Sequence, residues 1–430
     1  MNRRLFVKGT FAGSLGALYA PAIFSGTAGK TFDTVLIGSG WWGMNILREA
    51  IASGRCRVTA LCDVDKSILD KAVEEVNQLT GRKPKAYTDY RELIRKEKPR
   101  IAIVATPDHW HALPAIEALQ TGAHVYLEKP IGHTIDEGKA LVAARKNSGA
   151  LVQVGFHRHI SPHNVSGIEF LRSGKAGKIG MVRAFVFNNT RQPGPVTESE
   201  PPAGLDWDFW CGPAPMPAYT PAIHPRGFRN YLDFANGLCG DWGVHWFDQI
   251  LWWTDEKFPR KIFSSGGKIY DNPHYDAPDF QSATFEFESF TATWEHRRFG
   301  GGDNEKHSVG TYFYGTEGIF HMGWIDGWTF YPNRKGEQII HQDHSLNMPD
   351  HQNIRELWAD FMAAIDEGRE PVAGIENSHR ATNMSLLAMM SMKLGRSLSW
   401  DGERETVIGD PEAQALMRRP YRAPWQFPAF

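Results

Sequence analysis

Cysteine is scarce: Cys56, Cys62, Cys211 and Cys239 are the only four in 430 residues. No two stand in a C-x-x-C spacing, so neither a zinc knuckle nor a dithiol redox site is indicated. Charge of one sign is also missing. The formal net charge of −2 argues against nucleic acid, or any other polyanion, as a partner. There is no tandem repeat, no low-complexity tail and no apolar run that reads as a stable membrane span. What remains is a chain long enough for two substantial domains. It is rich in tryptophan, with fifteen. Many of these lie in Gly/Pro-rich stretches, where flat apolar faces beside polar groups suit sugar rings.

The amino terminus is set apart from the fold. Asn2-Arg3-Arg4-Leu5-Phe6-Val7-Lys8 precedes an uncharged Gly/Ala-rich stretch over 9–24, a pattern that resembles a twin-arginine export signal. Small residues at Ala20-Pro21-Ala22 and Thr27-Ala28 offer cleavage sites. Residues 1–30 are therefore read as a signal segment, and the expected location is the periplasm or another exported compartment.

From 31 to 155, short buried strands (32–37, 58–62, 101–105, 124–127 and 151–154) alternate with amphipathic helical stretches (66–79, 90–96, 111–120 and 136–147). Such alternation implies a parallel sheet covered on both faces. From 156 to 430 the runs become longer and alternate in polarity, at 182–187, 283–287, 291–296 and 311–314. They predict an α+β domain with a large, mostly antiparallel sheet open on one face. Helical patterns over 352–365 and 378–394 are expected to pack back on earlier structure. The segment 192–225 has no usable periodicity and reads as an ordered excursion.

Chemistry-bearing residues fall at predicted element ends. Gly38-Ser39-Gly40-Trp41-Trp42-Gly43 joins the first strand to the first helix. This is the setting of a dinucleotide-binding turn, in which the glycines allow the tight turn, close approach of a pyrophosphate and close helix packing. Asp63 follows the second strand, where an acid accepts both ribose hydroxyls and repels a 2′-phosphate, favouring NAD over NADP. Glu128-Lys129-Pro130 follows the strand at 124–127, at the carboxyl edge of the sheet, so Lys129 would face the nicotinamide. Asp241, His245 and Asp248 stand at i, i+4 and i+7, one face of a helix. His245 is the natural base for an alcohol proton, with Asp241 polarising it and the Lys129 ammonium stabilising an alkoxide. His157, His159 and His163 suit a metal by residue type, but they span a turn and a proline, so no metal is expected.

Together Gly38 to Gly43, Ala105-Thr106-Pro107-Asp108-His109-Trp110-His111, Glu128-Lys129-Pro130 and Asp241-x-Gly243-x-His245-x-x-Asp248 resemble the glucose-fructose oxidoreductase, inositol dehydrogenase and rhizopine-catabolism family (Gfo/Idh/MocA). That resemblance spans nearly the whole chain after the signal and implies an N-terminal Rossmann domain. It implies a cofactor site of Gly38, Gly40, Trp41, Trp42, Gly43, Asp63, Thr106, Pro107, His111, Glu128 and Lys129, and a cis peptide at Lys129-Pro130. It also makes Lys129, Asp241 and His245 the catalytic set. His157, Arg158, Asp241, Trp242, His245 and Asp248 are the candidate sugar-binding residues, with Trp207, Trp210 and Trp246 as further candidate walls. One departure is Asn236-Gly237-Leu238-Cys239-Gly240, where many members carry a glycine triplet before the Asp.

The reading is an exported oxidoreductase that moves hydride between a sugar hydroxyl and a tightly held NAD, in a homo-oligomer. Two alternatives stay open: a redox-neutral NAD-dependent glycosidase acting through a 3-keto sugar, and a non-catalytic sugar-sensing relative. The first needs a further base and a leaving-group acid, for which His157, Tyr231 and Asp248 are candidates.

Overall fold

The computed structural model describes residues 30–187, 197–272, 274–300, 305–347 and 352–429. Residues 1–29 of the expected signal segment 1–30, and 192–196 at the start of the excursion, lie outside the described residues.

Strands β1 (Phe32–Ile37), β2 (Cys56–Cys62), β3 (Lys85–Tyr87), β4 (Ile101–Val104), β5 (His124–Leu127) and β6 (Val152–Val154) form one sheet in the order β3-β2-β1-β4-β5-β6, with every pairing parallel. Their apolar runs are buried because helices α1 (Trp41–Ala52), α2 (Lys66–Thr80), α3 (Tyr90–Glu97), α4 (Ala112–Gln120) and α5 (Ile135–Ser148) connect them and cover the faces of the sheet. The order reverses between β1 and β4, and the crevice outside the carboxyl ends of those strands is the place for a ligand in such a sheet. This is a Rossmann sheet. The short edge strand β3 carries too little apolar sequence to be legible beforehand, with a pattern of two exposed residues and one half-buried residue.

Helix α6 (Pro162–Arg172) leads into β7 (Ile179–Phe187). A second sheet then adds β8 (Lys261–Gly267), β9 (Phe280–Glu286), β10 (Thr291–Arg297), β11 (Val309–Gly315), β12 (Gly318–Gly323), β13 (Trp328–Pro332), β14 (Ile340–Gln342), β15 (Leu398–Asp401) and β16 (Thr406–Val407). The ten strands run in the order β14-β13-β12-β11-β7-β10-β9-β8-β15-β16. The sheet is antiparallel except at β7 and β10, which pair in parallel, so it is mixed. Alternation assigns its faces. Val182, Ala184, Ala292, Trp294 and Phe285 point into the core. Met181, Phe263 and Phe280 share the opposite face by register and are exposed.

Between β7 and β8 lie the short helix α7 (Trp207–Cys211), a 3₁₀ turn (Gly227–Asn230), a π-helical turn (Cys239–Gly243) and α8 (Val244–Trp253). Helix α9 (Ile354–Glu367) packs on α1, and α10 (Ile375–Leu394) packs on α8, α5 and β8. A last short helix, α11 (Pro411–Ala415), precedes the carboxyl-terminal tail. No helix among the described residues is long and apolar enough to cross a membrane.

The start of α5 is tied to that tail by a group that sequence patterning does not reveal. Thr134 and Glu137 form a reciprocal cap. The fully buried Glu137 carboxylate also accepts from the His133 amide at 2.6 Å, Arg419 Nε at 3.1 Å and the Tyr421 hydroxyl at 2.7 Å. Removing one partner of a buried ion pair strands the other. Glu137→Ala is therefore expected to cost about 3–5 kcal/mol, read as a lowered denaturation midpoint in guanidinium.

Candidate active site

One cleft of about 900 Å³ runs along the carboxyl edge of the first sheet to the second domain. The glycine turn forms its floor. Gly38 has φ of +91°, and a Cβ there would lie 2.6 Å from the Ala105 carbonyl. A Cβ on Gly43 would lie 2.1 Å from the Gly38 carbonyl oxygen, so helix α1 can approach its strand only through glycine. A Cβ on Gly40, in contrast, would meet no heavy atom within 4 Å. A tight turn, close helix packing and an open second glycine at a helix amino terminus are what a dinucleotide pyrophosphate requires.

Asp63 stands at the end of β2, where its carboxylate accepts from the Ser39 amide at 2.8 Å and the Asp65 amide at 3.0 Å. Burial pushes its pKa up to about 6, although those amides oppose the rise. Ribose hydroxyls donate to the ionised form, so nucleotide retention should weaken as pH falls through about 6, approaching tenfold per unit below it. Equilibrium dialysis against pH checks this, and Asp63→Asn should flatten the profile. The sign for stability is opposite. A carboxyl pKa raised by folding stabilises the free protein below about 4, and that contribution is lost as pH climbs through 6.

Thr106, Pro107 and His111 lie on the cleft wall after β4. The His111 ring bridges two loops, with Nδ1 2.5 Å from the Pro130 carbonyl and Nε2 2.8 Å from the Thr106 carbonyl. Burial draws its pKa down to about 4. The Lys129–Pro130 peptide is cis. Glu128 is buried beside it, and burial pushes its pKa up to about 7 despite the Lys129 charge.

Lys129 Nζ donates to Asp241 Oδ1 at 2.7 Å and to the Asp241 carbonyl at 2.9 Å, joining the first sheet to the π-helical turn. Arg229 Nε lies 3.1 Å from the same carboxylate oxygen. Burial opposes ionisation of Asp241, but the Arg229 and Lys129 cations outweigh it and hold the carboxyl well below its usual range. His245, one turn on in α8, is buried, and burial together with Lys129 and His157 keeps its pKa well below the ordinary imidazole value. Its Nδ1 is enclosed without a hydrogen-bond partner among the described residues, which leaves Nε2 as the ring atom open to the cleft. The site thus offers a neutral imidazole, a fixed ammonium and an ionised carboxylate.

Gly38, Gly40, Trp41, Trp42, Gly43, Asp63, Thr106, Pro107, His111, Glu128, Lys129, His157, Asp241, Trp242 and His245 all line this cleft. Asp248 is different. The helix face expected to carry Asp241, His245 and Asp248 together is broken by the π-helical turn, whose wider winding re-aims Asp241. Asp248 is buried against His159, 2.9 Å from its Nε2. Arg158 also lies behind the cleft wall rather than on it, stacked under Trp324. Trp246 is wholly buried in the core, and Trp207 packs with Trp210 and Tyr219 in the excursion. The three histidines considered for a metal are spent separately: His157 on the cleft, His159 on Asp248, and His163 accepting from the Ser345 amide.

Sequence reading missed Asp108, Arg229, Trp324 and Gln352, all on the cleft wall. Burial pushes Asp108 up to about 7, against the pull of Arg229. It also missed that the excursion roofs the nucleotide end. The Gly204 carbonyl accepts from the Lys66 amide at 3.0 Å, the Asp206 amide donates to the Val64 carbonyl at 3.1 Å, and His224 lies 3.6 Å from Asp65. Arg226 stacks over Trp41 at 4.8 Å.

The fold and much of the sequence have known counterparts. The levoglucosan dehydrogenase complex with NADH and levoglucosan superposes with a TM-score of 0.66 at 17% identity, over 86% of this chain and 99% of that one. The aldose-aldose oxidoreductase of Caulobacter crescentus gives 0.64 at 17% identity, over 86% of this chain and 100% of that one. The alpha-N-acetylgalactosaminidase of Shewanella oneidensis is 32% identical over 105 residues, which is 24% of this chain and 23% of that protein. The match therefore spans about a quarter of that relative's length. The family model for the oxidoreductase NAD-binding Rossmann fold matches residues 32–156, and its C-terminal alpha/beta companion matches 184–427. The chain belongs to the Gfo/Idh/MocA oxidoreductase family.

Proposed function

We propose that this protein oxidises a hydroxyl of a sugar or sugar derivative with NAD held in the cleft, and returns the electrons to a second carbonyl compound. The observation that carries this reading is the Lys129–Asp241 pair beside neutral His245 at the nicotinamide end of the glycine-turn cleft. Gly38, Gly40, Gly43 and Asp63 would hold NAD, which would supply an acceptor for the carbon-bound hydrogen as hydride. His245 Nε2 takes the hydroxyl proton, which its depressed pKa leaves it free to accept. The Lys129 ammonium stabilises the alkoxide oxygen as charge develops. The Asp241 carboxylate fixes that ammonium and supports the imidazolium once formed. Asp63 favours NAD over NADP by repelling a 2′-phosphate. The roof of the excursion over the nucleotide end supports tight retention, as an exported enzyme without a soluble NAD supply needs. Export in a folded, loaded state rests on the twin-arginine-type segment.

Sequence similarity to the alpha-N-acetylgalactosaminidase supports a second reading, redox-neutral glycoside cleavage through a 3-keto sugar. Two buried carboxyls with pKa near 7, Asp108 and Glu128, would supply the extra acid and base. One experiment separates the two. Purified protein is denatured and its released NAD(H) assayed, and native protein is then incubated with a glycoside panel. Keto-sugar that forms only with an added carbonyl acceptor supports the oxidoreductase. Free sugar and aglycone without an acceptor support the glycosidase, and protein purified without nucleotide removes the retention argument.

The exposed Met181, Phe263 and Phe280 on the outer sheet face support a homo-oligomer formed through that face. Light scattering after size exclusion should give a dimer or larger. A clean monomer at micromolar concentration sinks it.

A further inference from the structure

Arg158 follows β6 and is 1% exposed. None of its three guanidinium nitrogens meets a hydrogen-bond acceptor among the described residues. Burial draws its pKa down to about 9, and no anionic neighbour among the described residues opposes the fall. A buried, unpaired cation with unmet donors is strongly unfavourable, and a side chain of this kind is ordinarily paired. Among the described residues its one compensating contact is the Trp324 ring, 3.6 Å beneath the guanidinium carbon, and a cation–π contact returns only part of the cost.

The unneutralised charges acting on this part of the wall are cationic. Arg158 is near enough to depress the titration of His157, His163 and His245, and Lys129 acts on His157 and His245 as well. The nearby acids are already committed: Asp241 to Lys129 and Arg229, and Asp248 to His159. Trp324 is the partition between this cation and the cleft. It lines the cleft, packs 5.1 Å from His245 and 5.0 Å from Trp242, and sits in the β12–β13 connection. The guanidinium therefore lies one ring behind the wall that the sugar would touch.

We propose that Arg158 is a carboxylate-binding group of this cleft and that the accepted sugar is a uronic acid, whose carboxylate engages the guanidinium as the Trp324 indole turns aside. The planar fork of arginine matches a carboxylate with two parallel hydrogen bonds, which would satisfy donors that a neutral sugar leaves unmet. This rests on reading the cleft as a sugar site, and it names the substrate class.

The test is binding, not turnover. Isothermal titration of nucleotide-loaded protein would compare glucuronate with glucose, galacturonate with galactose, and glucose 6-phosphate with both. At least one uronate should bind about ten- to a hundredfold more tightly than its neutral counterpart. Arg158→Met should erase that difference and Arg158→Lys restore part of it. Equal affinity for acid and neutral sugars, a preference for the phosphate, or an undiminished uronate preference in Arg158→Met would each overturn the proposal. If Arg158→Met does not fold, the wild-type panel still decides. The preference should persist in Lys129→Met, so failure of the redox reading and failure of this subsite are told apart.

Discussion

Lys129→Met is expected to lower turnover by about a thousandfold while the purified protein still carries its nucleotide. The ammonium is 2.7 Å from Asp241 Oδ1 and also binds the carbonyl of that residue. Methionine keeps the length of the stem and removes the charge, so the alkoxide loses its nearest cation. Arg229 remains beside Asp241, and the carboxylate is not left unpaired. The loss should therefore fall on the chemical step more than on folding. Single-turnover absorbance of the reduced nicotinamide, together with an unchanged denaturation midpoint, is the measurement. Unchanged turnover would instead remove Lys129 from the chemical step.

Gly43→Ala should have a comparable effect by another route. The added Cβ would stand 2.1 Å from the Gly38 carbonyl oxygen and 3.2 Å from Leu36 Cδ1. Helix α1 must then move off its strand, and overpacking of this kind costs about 1–3 kcal/mol. The turn that would hold the pyrophosphate opens with it, so the variant should purify without nucleotide. Gly40→Ala is the control, because its Cβ meets no protein atom within 4 Å. Stability of its nucleotide-free form should be unchanged, and any loss of bound nucleotide would report directly on the pyrophosphate contact. Equal nucleotide content in wild type and Gly43→Ala would contradict the assignment of this turn.

The parallel sheet was legible because its strands are continuous apolar runs that alternate with amphipathic helical stretches. The alternating strands of the second sheet were legible in part. β9 and β10 bury every second residue, whereas β8, with two terminal glycines, and the two-residue β16 carry little pattern. Within the cleft, residues anchored to strand ends could be read from motifs, as with Lys129 and Asp63. Arg229 and Trp324 could not, since each sits in an aperiodic connection and reaches the cleft only through tertiary packing. Asp248 was misread because its place in α8 says nothing of its partner, and the buried His159 that claims it comes from a separate connection.

The roof over the nucleotide end also constrains kinetics. If the excursion anchored at Val64 and Lys66 keeps the nucleotide in place between half-reactions, donor and acceptor must use the same sugar pocket in succession. The oxidised product must leave before the second carbonyl compound enters. Double-reciprocal plots at several fixed acceptor concentrations would then be parallel lines, and each substrate in excess would inhibit by occupying the form of the enzyme meant for the other.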